Sequence, residues 1–218
     1  MVKISSSEEE NTEFLGSLWD SYKYYFLIGL VSVVTGILGW EFWLDSKAGN
    51  QQKASDLYEA FIEERNDEKK DVYKELNQLS EEIINTFPNT LYADLVSFYL
   101  AKLEVEKGNF SKAEKNLRWI IEKHSSKWSD GFDPIEVTAR QRLARVLIAN
   151  KRAQEAINLL NSTSNLDSTS FEIRGDAQNE LGLIGQAKVS YLQAIESTNN
   201  QYLKSLLKMK LADLKIED

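Results

Sequence analysis

Apolar residues follow two different patterns along this chain, and the change of pattern divides it into two parts. Residues 24–40 carry no charge at all, and after Glu41 the apolar character resumes with Phe42, Trp43 and Leu44. From Lys47 onward, apolar residues recur instead at the i, i+3, i+4 spacing of amphipathic helices, with almost no strand alternation. The sequence therefore predicts an all-α protein in which one membrane-type helix precedes a domain of short helices.

The uncharged segment has the length of a membrane span. A hydrocarbon core of roughly 30 Å requires about 20 helical residues, so we predict a transmembrane helix over residues 24–44. A short acidic tail, residues 1–23, precedes it, and a helical domain, residues 45–218, follows it. Aromatic residues, which favour the headgroup level, flank the span: Trp19, Tyr22, Tyr24 and Tyr25 on one side, Trp40, Phe42 and Trp43 on the other.

Two alternatives to a retained membrane anchor are a buried core helix and a cleaved signal peptide. A core helix is rarely this long without a charge, and a signal peptide begins with a basic segment, whereas the tail here is acidic. Orientation stays open at this point, because Lys3 and Lys23 before the span are matched by Lys47 and Lys53 after it.

Three segments of the helical domain share the signature of a helix hairpin. Each has a small residue, an alanine twelve positions later, and a large residue four positions after that alanine. The three sets are Ala101, Ala113 and Leu117; Ala144, Ala156 and Leu160; and Gly175, Ala187 and Tyr191, with Gly108 and Gly182 in two of the turns. Small residues let paired helices approach closely, as in a tetratricopeptide-type solenoid. The alanines lie 43 and 31 residues apart, and an inserted loop at residues 125–134 explains the longer spacing.

The amino-acid composition argues against nucleic-acid binding, metal binding and enzymatic activity. Twenty-six basic and thirty-four acidic residues give a net charge of −8, so we expect no nucleic-acid partner, because phosphate binding needs a basic face. There is no cysteine and a single histidine, His124, so we expect no metal site, no cofactor and no enzymatic activity. His124 stands near a predicted helix end, where we expect it to interact with the terminal carbonyls.

Helical-repeat solenoids act by offering a surface to a partner, and exposed aromatic side chains anchor such contacts. Our candidates for partner binding are Trp119, Trp128 and Phe132, the last two in the inserted loop. Trp119 has helical spacing from Leu117 and Ile120, which favours a core position for it, whereas both interpretations stay open for Trp128. We expect the binding groove to combine apolar anchors with an acidic rim.

Several short motifs occur in a familiar order. They are Gly39-Trp40-Glu41-Phe42-Trp43, Arg142-Leu143-Ala144-Arg145-Val146, Arg174-Gly175-Asp176-Ala177, Gly185-Gln186-Ala187-Lys188, and Met209-Lys210-Leu211 with Leu214. Together with the acidic tail and the degenerate repeats, they resemble the YfgM family, the ancillary subunits of the bacterial SecYEG translocon. Glu41 departs from the family, where a basic residue is expected, and the loop at residues 125–134 is expanded.

The resemblance implies an inner-membrane protein whose N-terminus is cytoplasmic and whose helical domain is periplasmic. It implies SecYEG and the periplasmic chaperone PpiD as partners, and nascent exported polypeptides as clients. Two other functions remain open. One is a membrane-anchored regulator that sequesters a stress-response signalling protein, which would alter transcription and not client folding. The other is an organelle import receptor with the opposite topology, which protease accessibility would distinguish.

Overall fold

The computed structural model describes residues 6–66, 72–125, 133–162 and 166–214, and within these ranges all regular secondary structure is α-helical. The helices are α1 Ser6–Asn66, α2 Tyr73–Thr86, α3 Leu91–Glu106, α4 Phe110–His124, α5 Pro134–Ala149, α6 Ala153–Asn161, α7 Ser168–Glu180, α8 Ile184–Glu196 and α9 Gln201–Asp213. The chain divides into two compact units, Met1–Lys53 and Ala54–Asp218. The predicted all-α class is confirmed.

The first unit consists of the greater part of α1. Its apolar window has a mean hydropathy of 1.8 and is unburied, so this helix is a candidate transmembrane span by length and composition. Ser32 and Thr35 donate their hydroxyl hydrogens to the carbonyls of Ile28 and Val31, at 2.8 and 2.7 Å, which satisfies both groups without water. The limits of the tail and the span stay predictions, because α1 runs through residues 23 and 45 without a break.

The aromatic residues proposed as interface anchors lie along the same helix. Tyr24, Tyr25 and Phe42 are exposed. The rings of Tyr22 and Tyr25 lie 6.4 Å apart, and those of Trp40 and Trp43 lie 5.4 Å apart. Lys47 places its ammonium 5.1 Å from the Trp43 ring, a geometry in which a cation and an aromatic ring attract each other. The side chain of Trp19 lies outside the described part of the chain.

The second unit is a stack of antiparallel helix hairpins. The hairpins are α3/α4, α5/α6 and α7/α8, while α2 packs on α3 and α9 packs on α8. The largest hydrophobic cluster extends from α3 to α7 and includes Leu117, Leu143 and Ile173. A second cluster joins the end of α1 to α2 and α3 through Phe61, and a third joins α8 to α9.

The three hairpins turn in the same way. Gly108, Lys151 and Gly182 occupy equivalent positions with φ of +75°, +60° and +73°. In each turn, the next residue donates its backbone N–H to a carbonyl five residues earlier: Asn109 to Glu104, Arg152 to Leu147, and Leu183 to Gln178. This is the Schellman arrangement that ends a helix with a left-handed residue. Lys151 adopts the left-handed conformation with a side chain, which costs roughly 1–2 kcal/mol relative to glycine.

The small residues of the repeat signature lie at the contacts between paired helices. Ala101, Ala113, Ala144, Ala156, Gly175 and Ala187 are all buried, whereas Gly108 and Gly182 lie in the turns. The third hairpin differs in the size of its partners. A Cβ atom on Gly175 would lie 2.5 Å from Cε1 of Tyr191, which is closer than atoms can approach. At the equivalent positions, the first two hairpins have alanine and leucine, and the third has glycine and tyrosine.

We predict that Gly175→Ala destabilises the protein by about 1–2 kcal/mol, because the buried Tyr191 ring cannot move away from the added methyl group. Tyr191→Leu should remove the overlap and reproduce the pairing of the other hairpins. The loss of unfolding free energy in the double variant should then be smaller, by at least about 1 kcal/mol, than the losses of the two single variants added together. Urea unfolding of the full chain in detergent, followed by circular dichroism, measures these differences.

The matched control is Gly185→Ala in α8, where an added Cβ meets no atom within 4 Å. Since alanine favours a helix over glycine, this change should leave stability equal or raise it. Strict additivity of Gly175→Ala and Tyr191→Leu would contradict the proposed size coupling.

Candidate partner-binding site

A groove of about 450 Å³ lies between α3 and α5, the first helices of two successive hairpins. We call it the α3/α5 groove. Its apolar lining consists of Phe98, Ala101, Val105, Leu117, Val146 and Ala149. Helix α5 packs closely on α7, whereas the space between α3 and α5 remains open. Small side chains at Ala101 and Ala149 leave room in this space for an apolar side chain of another molecule.

The register of the repeats explains why these residues meet. Phe98 and Lys102 flank Ala101 and are four residues apart, so they share one face of α3. Arg145 follows Ala144 just as Lys102 follows Ala101, which places both cations at equivalent positions of successive hairpins. The packing of the small residues therefore also determines which side chains line the groove.

The rim of the groove is mainly basic. It carries Lys102, Arg142 and Arg145, against a single carboxylate, Glu106. The Lys102 ammonium lies 3.6 Å from the Glu106 carboxylate, and the Arg145 guanidinium lies 3.4 Å from the Glu172 carboxylate of α7. The predicted acidic rim is wrong for this groove, because the acidic excess of the chain lies elsewhere.

Arg142 crosses the groove toward α3. The central carbon of its guanidinium lies 4.4 Å from the centroid of the Phe98 ring, which is a cation–π contact. Within the described residues, Arg142 has no ion pair with a carboxylate. The groove thus holds a guanidinium that contacts an aromatic ring and that no carboxylate of the described residues pairs with.

The equivalent face of α7 is electrostatically satisfied. Glu172 and Asp176 occupy the positions that Phe98 and Lys102 occupy on α3. Lys210 of α9 lies 2.7 Å from the Glu172 carboxylate and 2.6 Å from that of Asp176. Tyr191 donates its hydroxyl to Asp176 at 2.8 Å. Burial, together with the neighbouring Asp176 charge, raises the pKa of Tyr191 well above its ordinary value, so the phenol stays a hydrogen-bond donor.

Trp119, the one predicted aromatic candidate within the described residues, does not line the α3/α5 groove. Trp119 of α4 is half-buried and packs against two of the hydrophobic clusters, with the Lys123 ammonium 5.3 Å from its ring. It lines a separate, more polar cavity of about 580 Å³ together with Asn77, Leu100 and Glu104. Trp128 and Phe132 lie outside the described residues, so their part in partner binding stays a prediction.

His124 joins the two ends of the connection between α4 and α5. Its Nδ1 lies 2.7 Å from the Asp133 carboxylate, and its Nε2 lies 3.1 Å from that of Asp94. Lys123 binds the same Asp94 at 2.7 Å. The predicted interaction of His124 with helix-terminal carbonyls is therefore wrong, because each of its two ring nitrogens binds a carboxylate instead.

Asp133 has a second role as the N-cap of α5. Its Oδ1 accepts the backbone N–H groups of Ile135 and Glu136, at 2.8 and 3.4 Å. Burial alone would raise the pKa of Asp133, but the hydrogen bonds from His124 and from these two amides outweigh it. The pKa of Asp133 is consequently lowered from 3.8.

Sequence reasoning missed the groove-lining residues Phe98, Lys102, Arg142 and Arg145. A signal for three of them was present, because aligning Ala101 with Ala144 places Lys102 and Arg145 at the same register position and Phe98 on their face. The side of α5 on which Arg142 lies, and its contact with Phe98, depend on how two helices 43 residues apart pack.

Comparisons with known proteins agree with the architecture. A family model described as a tetratricopeptide repeat-like domain matches residues 17–216. A protein of Neisseria gonorrhoeae named "Ancillary SecYEG translocon subunit" is 23% identical over 211 residues, which cover 95% of this chain and 97% of that protein. An Escherichia coli protein of the same name is 22% identical, covering 99% and 100% of the two chains. One from Aggregatibacter actinomycetemcomitans is 26% identical, covering 87% and 89%. No solved structure matches the chain.

We predict that Asp133→Asn lowers the free energy of unfolding by about 1 kcal/mol at pH 7, because asparagine keeps the cap but loses the charge beside His124. Since the folded pKa of Asp133 is depressed, its stabilisation is present above 3.8 and disappears as the pH falls through the folded value. The difference between variant and wild type should therefore vanish in the acid range. Urea unfolding in detergent from pH 7 down to about pH 2 measures it, and a pH-independent difference would contradict this account.

Proposed function

The chain belongs to the YfgM family of tetratricopeptide repeat-like proteins, and we propose that it serves as a non-enzymatic accessory subunit of the SecYEG translocon at the bacterial inner membrane. Two observations support the proposal. Relatives that carry the name "Ancillary SecYEG translocon subunit" are similar over nearly their whole length. The chain also has a helix that is long and apolar enough to anchor it in a bilayer.

In the second unit, we propose that the α3/α5 groove is the surface that binds other proteins. It is small, and its charged rim is exposed, so its contacts with a polypeptide segment would be individually weak. Attachment to the membrane compensates for weak binding, because it confines the groove to the neighbourhood of its partner and raises the effective concentration. We therefore propose tethering: the anchor keeps the groove beside the translocon, and the groove holds segments of other proteins reversibly.

The finer parts of the proposal concern direction and handover. We propose that the N-terminus is cytoplasmic and that the helical domain lies in the periplasm, as the family resemblance implies. Nascent exported polypeptides would then meet the groove as they emerge, and a PpiD-type chaperone would receive them. Reversible binding suits this role, since a client held tightly could not be passed on.

We predict that the full chain co-purifies with SecYEG in mild detergent and that removal of residues 1–45 abolishes this association, because the tether is lost. Quantitative immunoblotting of SecY in the purified fraction measures the effect. The matched variant keeps the chain complete and replaces residues 24–44 by an unrelated transmembrane helix of the same length. Under simple tethering, this variant retains most of the association.

The two variants separate three cases. If the truncated domain co-purifies as well as the full chain, the tethering proposal is wrong. If the replaced helix loses the association as completely as the truncation does, the span itself makes specific contacts and tethering alone is insufficient. Loss on truncation with retention on replacement supports the proposal.

We predict that protease added to intact spheroplasts degrades the helical domain, because the proposed orientation exposes it on the outer side of the inner membrane. The measurement is an immunoblot with an antibody against the second unit, with a cytoplasmic protein as the control for membrane integrity. Protection of the domain until detergent is added would reverse the orientation and overturn the proposed encounter with exported polypeptides.

A further inference from the structure

The α3/α5 groove concentrates positive charge in a protein whose net charge is −8. Three cations and one carboxylate line it, and the carboxylate Glu106 lies beside Lys102. Arg145 is half exposed, and its guanidinium lies 3.4 Å from the Glu172 carboxylate. The Lys210 ammonium binds that carboxylate more closely, at 2.7 Å. The rim therefore has more positive charge than its own carboxylates neutralise.

Arg142 is the cation of this rim that is best placed to bind a carboxylate. Its guanidinium carbon lies over the Phe98 ring, and no hydrogen bond to the described residues occupies its N–H groups, so these groups remain for another acceptor. A guanidinium held in this way is prepared to bind a carboxylate through two parallel hydrogen bonds. The cation–π contact with Phe98 already restricts the side chain, so less conformational entropy is lost on binding.

The floor of the groove selects for a second feature. Ala101, Val105 and Val146 present only aliphatic surface beneath the cationic rim. Burying an apolar side chain against such a surface is favourable, because apolar area is removed from water. A ligand that satisfies the groove must therefore place a carboxylate and an apolar side chain next to each other.

We propose that the α3/α5 groove binds polypeptide segments in which an aspartate or glutamate adjoins a large apolar residue, with Arg142 binding the carboxylate. This inference rests on the proposed function, since it names the class of segment that the groove would hold. Basic and purely apolar segments would bind more weakly. Glu172 and Asp176 do not oppose an acidic ligand, because Lys210 binds both of them and Arg145 also lies against Glu172.

The test uses the full chain in detergent and fluorescence anisotropy of three labelled synthetic peptides. One alternates leucine with glutamate, the second has glutamine in place of glutamate, and the third has lysine. We expect the affinity for the glutamate peptide to be at least about tenfold higher than that for the glutamine peptide, since a charge-assisted pair is stronger than a neutral one. The lysine peptide should bind least, and added salt should reduce the preference for glutamate.

Arg142→Gln should lower the affinity for the glutamate peptide about tenfold and leave that for the glutamine peptide nearly unchanged. Arg142→Lys should restore part of the loss, because lysine keeps the charge without the planar fork. The charge-matched control is Arg140→Gln on the same helix, because Arg140 binds Glu136 and Ser162 and does not line the groove. Thermal unfolding should show that all three variants stay folded.

Three results would overturn the inference: equal affinity for the glutamate and glutamine peptides, no effect of Arg142→Gln, or self-association of the chain that Arg142→Gln abolishes. Co-purification with SecYEG is measured in parallel. If the wild type co-purifies but shows no preference for glutamate, the inference fails and the proposed function stands. If the preference depends on Arg142 but SecYEG is absent, the binding class stands and the proposed function fails.

Discussion

The close approach of paired helices at small residues is the constraint on which the rest of the helical domain depends. Two helices can pack this tightly only where one of them presents a methyl group or less, and Ala101, Ala144 and Gly175 meet that requirement once in each hairpin. The size of the opposite residue then varies, with tyrosine replacing leucine where glycine replaces alanine. Because the contact fixes helix rotation as well as distance, it also determines which side chains of α3, α5 and α7 face the same way.

That shared register is used for different chemistry in the first and third hairpins. The positions that hold Phe98 and Lys102 on α3 hold Glu172 and Asp176 on α7. Lys210 and Arg145 together balance the two α7 carboxylates, whereas no carboxylate of the described chain pairs with Arg142. This face of the solenoid is thus satisfied internally at α7, whereas at the α3/α5 groove it carries the positive charge that we propose a partner binds. The small residues set how the helices pack, and the residues beside them set the charge of the groove that we propose binds a partner.

Local signals in the sequence predicted the elements that local physics determines. Gly108 and Gly182, which the sequence places in two of the turns, take left-handed conformations there. The equivalent turn at Lys151 lacked that signal, because the repeated backbone geometry imposes the left-handed conformation on a residue that does not favour it. His124 illustrates the opposite limit. Its bond to Asp94 joins residues 30 positions apart, and no periodicity within one helix can indicate which carboxylate will reach it.

Net charge is a poor guide to the charge of a binding surface, and the α3/α5 groove shows the physical reason. Screening in salt limits the influence of exposed charges to about a Debye length, roughly 8–10 Å, so a groove responds to its own rim and not to the sum over the chain. Within that distance, what matters is which charges already have partners. Lys210 and Lys123 lie against buried carboxylates, while Arg142 lies against an aromatic ring. An acidic protein can therefore present a basic groove without contradiction, and its remaining negative surface would disfavour binding of the same acidic segments elsewhere.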